Sequence, residues 1–519
     1  MSGGDGGGPG DPATGTSGPA APPLVPGRPN VLLLMTDQQR YDSLRTYGFK
    51  AGHTPHLDGL AAEGATFERC YATNPICSPS RASLLTGHHL PEHGVYRLYD
   101  VLPDDEVLFP ERLRDLGYQT ALVGKLHVSS MHAEAEARHP HDGFDLYEWC
   151  NEGCVRMDSR FHGYARWLEE VDPAFKRRLE TEGRGVLHHP AELHLSHWAA
   201  ERTIEFLKGR DPERPFFCLM SLFDPHNPYQ DYPSHALDGI DQGAIPAPVA
   251  DDLSARPEAL RREQADGYFG DARNLAHAEI DAMRRDYHAN VAFADEAFGR
   301  VLACLDELGL REHTLVVFCS DHGDMIGDHG LLVKGAFFFD PCVRVPLLMR
   351  WPGVIEPGTR VQGLAQLHDL AATIMAAAGA GRDELAAWMP AARDLLPAAT
   401  EGVVVRDAAV CAYRDSGISA HGAWDPPLHG TMWREGAHKL NVFHLPDGRV
   451  EGELYDLDAD PDEIHDLWHD PLQAELKAWL LARLLDWTFR AELGRGSRGG
   501  EKRPVPRQVL DNAYRGPAQ

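Results

Sequence analysis

Four short apolar runs, each ending on polar or charged residues, constrain this chain more than any other feature. Val31–Met35 leads into Asp37 and Gln38. Thr120–Val123 leads into Gly124-Lys125-Leu126-His127, Phe216–Leu222 into Asp224-Pro225-His226, and Leu315–Cys319 into Asp321 and His322. Such runs read as buried strands. Helical patterns lie between them: Phe109–Leu116 closed by Gly117, Ser196–Lys208, and a longer helix running to Leu308 with Gly309 as its C-cap. In that helix Val291, Phe298, Val301, Leu302, Leu305 and Leu308 keep helical spacing. The alternation predicts an α/β fold in which a large, mainly parallel sheet is sandwiched by helices. In an open parallel sheet the four polar ends lie along one edge, at the carboxyl ends of the strands, where such folds bind ligands.

Two carboxylates, an amide and an imidazole at strand ends suit a hard or borderline divalent cation bound mainly through oxygen. Asp37 and Asp321 also read singly as helix N-caps. Four polar ends together favour the site.

The segment Cys77-Ser78-Pro79-Ser80-Arg81-Ala82-Ser83-Leu84-Leu85-Thr86-Gly87 is the sharpest motif. Ser78-Pro79 opens a helix, since proline is tolerated in the first turn. Cys77 then lies just before that helix, where free N–H groups and the helix dipole favour an anion. Arg81, a turn on, points its fork at the same spot. A phosphatase-type thiolate loop has five residues between Cys and Arg, whereas this chain has three.

With 519 residues the chain exceeds one compact core. Residues 1–28 are Gly/Pro/Ala/Ser-rich and expected to be disordered, residues 29–400 form the catalytic domain, and 401–519 form a smaller α+β subdomain with a polar tail. In the last part Gly402–Val405 and Lys439–Phe443 read as strands, and Leu472–Leu485 as a helix. The formal net charge of −28 disfavours nucleic acid and anionic membranes as partners. The N-terminus shows neither a basic n-region nor an apolar h-region, so the expected location is cytoplasmic. Cys150 and Cys154, the one close pair among nine cysteines, read as ordinary thiols.

From Asn30 to about His469 the sequence resembles the sulfatase family of the alkaline phosphatase superfamily. The Cys-x-Pro-x-Arg core at Cys77 is similar to the segment that a formylglycine-generating enzyme oxidises, which would be the partner in maturation. Asp37-Gln38, Gly124-Lys125-Leu126-His127, Pro225-His226-Asn227-Pro228-Tyr229, Ser320-Asp321-His322-Gly323 and Lys334 also match, as does Glu453-Leu454-Tyr455-Asp456-Leu457 near the C-terminus. The resemblance implies an alkaline phosphatase-like fold and hydrolysis of a small sulfate ester by a formylglycine hydrate. Asp37, Gln38, Asp321, His322 and the modified Cys77 would hold one divalent cation. Arg81 and Lys125 would steady the hydrate, and His127 would act on it as a base. His226 and Lys334 would bind the sulfate or protonate the leaving oxygen. Many relatives carry Asp at the place of Gln38 and Asn at that of His322. The exchange lowers the ligand charge and shifts preference from Ca²⁺ towards Mn²⁺; Ca²⁺ stays first, with Mn²⁺ and Mg²⁺ as alternatives. The competing readings are a phosphonate or phosphate ester hydrolase on the same scaffold, and a binding protein with unconverted Cys77.

Overall fold

The computed structural model describes residues 27–494 apart from 268–269, 416–423 and 425–426. The disorder expected for residues 1–28 and for the polar C-terminal tail therefore falls almost wholly outside the described residues.

Nine strands form the main sheet: β1 (Asn30–Thr36), β2 (Ala65–Tyr71), β3 (Gln119–Gly124), β4 (Leu146–Trp149), β5 (Phe216–Ser221), β6 (Thr314–Ser320), β7 (Arg344–Val345), β8 (Leu347–Arg350) and β9 (Thr359–Gln366). Their order is β4-β3-β5-β1-β6-β8-β2-β7, with β9 also paired to β2. The block from β4 to β6 is parallel, whereas β8 runs antiparallel to β6 and β2, so the sheet is mixed beyond its parallel half. The four runs read from sequence are the cores of β1, β3, β5 and β6.

Both faces of this sheet are covered, which is why the runs are apolar throughout. Along β1, Val31, Leu33 and Met35 enter one core with the helices Cys77–Thr86 and Asp369–Ala377. Leu32 and Leu34 enter the opposite core with Leu195–Gly209 and the long helix His277–Glu307. Alternate side chains of one strand thus seed two separate cores.

A second sheet of four antiparallel strands follows: β10 (Ala408–Tyr413), β11 (His429–Glu435), β12 (His438–His444) and β13 (Val450–Asp456). One face packs on Leu331 and Phe337–Phe339 of the main body, the other on Leu480 and Leu484 of the helix Ala474–Gly494. The run Gly402–Val405 is not a strand. Gly402 caps the helix Leu396–Glu401 at φ +69°, and Val403 and Val404 stand 45% and 66% exposed. β-branched residues without a partner edge do not make a strand, and pairing begins at Ala408, opposite Glu435. Among the described residues no helix is long and apolar enough to cross a membrane.

Candidate active site

The strand order β3-β5-β1-β6 makes the four polar ends neighbours. Thr36 lies opposite Ser320 in the β1–β6 register, so Asp37 and Asp321 emerge level with one another. A Cβ on Gly124 would come within 2.0 Å of Ser221 O, so only glycine lets β3 close on β5 just before Lys125.

The helix Cys77–Thr86 is buried along its whole length. Ile76 is its N-cap, and Cys77 is therefore its first residue rather than the residue before it. The Arg81 fork is turned to the two carboxylates: Nε donates to Asp321 Oδ2 at 2.6 Å and Nη2 to Asp37 Oδ2 at 3.0 Å. Nη1 donates to Lys125 O and Ser221 Oγ at 3.0 and 2.9 Å. Lys125 Nζ adds a second cation 2.7 Å from Asp37 Oδ2. Burial pushes the Asp37 carboxyl up, but Lys125, Arg81, His226 and Lys334 outweigh it and hold the group well below its ordinary range.

Lys334 reaches the centre of the group. Its ammonium lies 2.7 Å from Gln38 Oε1, 3.0 Å from Cys77 Sγ, 3.1 Å from His226 Nε2 and 3.2 Å from His322 Nε2. His322 Nδ1 donates to Gly323 O at 2.8 Å, so Nε2 keeps its lone pair towards this centre. Ligand atoms of Asp37, Cys77, Asp321 and His322 all lie within 4.8 Å of one another. An ammonium held by an amide oxygen, a sulfur and two imidazole nitrogens, with the Asp37 and Asp321 carboxylates beside them, marks a place built for positive charge. The donor set fits a divalent cation bound chiefly through oxygen. Burial and Asp37 push the Cys77 thiol up, yet Lys125, Lys334 and His322 bring it below its ordinary value.

The sulfatase family model matches residues 29–380, most of the chain. The chain belongs to the sulfatase family. An arylsulfatase from Clostridium perfringens (strain 13 / Type A) is 28% identical over 470 residues, covering 85% of this chain and 90% of that protein. Among solved structures, BT4656 in complex with its substrate D-glucosamine-2-N,6-O-disulfate aligns with a TM-score of 0.71 at 23% identity, over 91% of this chain and all of that one. The phosphonate monoester hydrolase of Agrobacterium radiobacter aligns with the same TM-score at 24% identity, over 89% and 96%. At such identities the structural likeness speaks to the fold.

In this sulfatase-family site His127 lines a cavity beside Cys77, Lys125 and Lys334. It is buried, and neither of its ring nitrogens has a hydrogen-bond partner. A buried imidazole without partners is costly in a purely structural role, and His127 lines a cavity instead. Burial, then Lys125, pushes the His127 imidazole well below its ordinary value; burial, then Lys334, does the same to His226. The φ angles of Gln38, His127 and Val333 are +67°, +57° and +57°, so non-glycine residues in left-handed conformation collect at the site. Glu134 pins the His127 turn: its carboxylate accepts the N–H groups of His127, Val128 and Ser129 and the indole N–H of Trp149. Burial raises this carboxyl to about 7. Ile76, Leu98, Met131, Phe223 and the ring of Tyr99 add apolar surface to the cavity lining.

Sequence reasoning missed Glu134, Asp324 and Ser221. Ser221 lies inside the run Phe216–Leu222 and Asp324 follows Ser320-Asp321-His322-Gly323, so both stood within or beside segments already singled out. Glu134 had no local signal. Trp149, at the end of β4, is core, and Arg156 is held in ion pairs with the exposed Glu136 and Asp158. A second cluster, His189, His194 and Asp231, also brings ligand atoms together. There His194 Nδ1 accepts the Ser196 N–H at 3.1 Å, so its neutral Nε2 carries hydrogen and offers no lone pair to a cation.

Proposed function

We propose that the protein hydrolyses a sulfate monoester to an alcohol and inorganic sulfate, with a formylglycine made from Cys77 and a divalent cation, Ca²⁺ first, held by Asp37, Gln38, Asp321, His322 and residue 77. The observation that carries this reading is the position of Cys77: first residue of a buried helix, with its sulfur 3.0 Å from Lys334 Nζ and 3.2 Å from His322 Nε2. The cation would offset charge on the sulfuryl oxygens and lower the pKa of the attacking hydroxyl. An aldehyde hydrate at residue 77 supplies one hydroxyl for attack on sulfur and a second whose deprotonation expels sulfate, which a plain thiol or alcohol does not.

The chain's own residues set the geometry. Arg81 holds Asp37 and Asp321 apart and oriented, and Lys125 neutralises Asp37 from the cavity side. His127, neutral and unpartnered, takes a proton from the second hydroxyl on a ring nitrogen. His226 Nε2 and Lys334 Nζ, 3.1 Å apart, face the sulfuryl group, where one proton on this pair can pass to the departing oxygen. His226 Nδ1 donates to Asn227 O, which leaves the Nε2 lone pair for that exchange. The apolar part of the cavity lining would take the alcohol. We also infer a division near residue 400, with catalysis in residues 29–400.

The phosphonate or phosphate ester reading draws support from the phosphonate hydrolase among the structural neighbours. Lys125 and His127, which the resemblance places on the formylglycine hydrate, favour sulfate.

Coexpression with a formylglycine-generating enzyme tests the proposal. The tryptic peptide carrying residue 77 should lose the mass difference between a thiol and an aldehyde, and arylsulfate turnover should rise with the converted fraction. Cys77→Ala should abolish turnover while leaving the fold intact, at a cost of at most roughly 2 kcal/mol. Full activity with wholly unmodified cysteine would sink it.

A further inference from the structure

Gln38 is the ligand whose chemistry depends on orientation: one end of its amide is an oxygen, the other a hydrogen donor. We infer that Asp324 is the positioning residue that turns Gln38 oxygen-first towards the cation, an inference resting on the cation-site reading above.

The backbone of Gln38 is held independently of its side chain. Its N–H donates to Asp321 Oδ1 at 2.9 Å and its carbonyl accepts the Tyr287 hydroxyl at 3.0 Å. The remaining freedom is rotation of the amide. Asp324, fully buried, accepts Gln38 Nε2 on Oδ2 at 2.6 Å. The same oxygen accepts the Tyr229 hydroxyl at 2.6 Å, and Oδ1 accepts the Ile326 N–H at 2.9 Å. Asn227 Oδ1 stands 3.3 Å from Gln38 Nε2 as a second acceptor. On the other side Gln38 Oε1 meets the Lys334 ammonium at 2.7 Å, a group with donors only. Acceptors behind and a cation in front therefore agree on one orientation.

Every polar neighbour of Asp324 is placed as a donor, which makes the acid irreplaceable by its own amide. In Asp324→Asn the Ile326 N–H cannot turn, so the new side chain must give it the oxygen. Its NH₂ then faces Gln38. To escape a donor–donor clash Gln38 flips, placing its own NH₂ at the cation site. Partners behind metal ligands typically change affinity by about tenfold to a hundredfold.

The test is calorimetric titration of Ca²⁺ into the metal-free full chain in four forms: parent, Asp324→Asn, Gln38→Glu and the double variant. Glutamate has oxygen at both ends and needs no orienting, and the like charge it sets against Asp324 is removed in the double variant. Asp324→Asn should weaken Ca²⁺ by at least about tenfold in the parent and by no more than about twofold in the Gln38→Glu background. An equal loss in both backgrounds would make Asp324 a remote negative charge only, and overturn the inference. No loss in the parent would overturn it as well. Should the single variant not fold, the double variant, whose donors and acceptors match again, must fold and bind, or the inference fails. A parent that binds none of Ca²⁺, Mn²⁺ and Mg²⁺ refutes the cation site itself, a failure separate from those above.

Discussion

Arg81→Met separates the structural and electrostatic parts of this site. The guanidinium makes four hydrogen bonds, two of them to the carboxylates of Asp37 and Asp321, with all three groups buried. Methionine keeps most of the apolar stem and removes every donor. Asp37 retains Lys125 at 2.7 Å, so its loss is partial. Among the described residues Asp321 loses its one permanent cation within 4.0 Å, since His322 Nε2, 3.8 Å away, is charged only when protonated. Breaking a buried pair from one side costs about 3–5 kcal/mol, and the expectation here is one such loss, centred on Asp321. Urea unfolding followed by tryptophan fluorescence in a chelator measures it. Ca²⁺ at a hundredfold excess over its dissociation constant should return about 2.7 kcal/mol, because the ion neutralises the same carboxylates. A loss under about 1 kcal/mol in the chelator would show that Arg81 does not hold these acids together, and the electrostatic account of the site would be wrong.

Glu134→Gln leaves one acceptor oxygen against four donors, and should cost about 1–3 kcal/mol in urea unfolding while lowering kcat through the loosened His127 turn; an unchanged midpoint rejects the pinning role. Because burial and neighbouring lysines hold His127 and His226 well below ordinary imidazole values, both stay neutral as pH falls, so neither should contribute a drop in kcat/KM around pH 6.5, where a free imidazole protonates. Glu134, raised to about 7, titrates in the same window, so the profile is read in Glu134→Gln, where a titration centred there would contradict their neutrality. For p-nitrophenyl sulfate against p-nitrophenyl phosphate and phenylphosphonate, kcat/KM should favour sulfate by at least ~10²-fold, a barrier difference of about 2.7 kcal/mol, while the phosphorus esters bind competitively. A higher value for the phosphonate moves the protein to the alternative activity.

The four strands and their shared edge were legible because a fully buried strand admits only apolar residues, and the residue that breaks each run marks where the strand leaves the core. Asp37, Lys125, His226 and Asp321 could be located on that rule, and Cys77 on the chemistry of a helix start. Gly402–Val405 obeyed the same local rule and failed, because β-branched residues pair only when an edge is offered to them. Arg81 lay at the right spacing, but its fork follows the carboxylates that the β1–β6 register sets level, which a helical wheel does not contain. Lys334 and Asp324 depended most on the assembled chain. Lys334 stands on an irregular segment whose place is set by the second sheet, through Phe338 stacked on Phe443 and the buried Lys439 ammonium 2.7 Å from Asp340 and 2.8 Å from Glu463. Periodicity reports which face of an element is buried, a matter of neighbours two to four residues apart. Which end of the Gln38 amide faces a cation is set by a carboxylate 286 residues away, and only packing brings the two together.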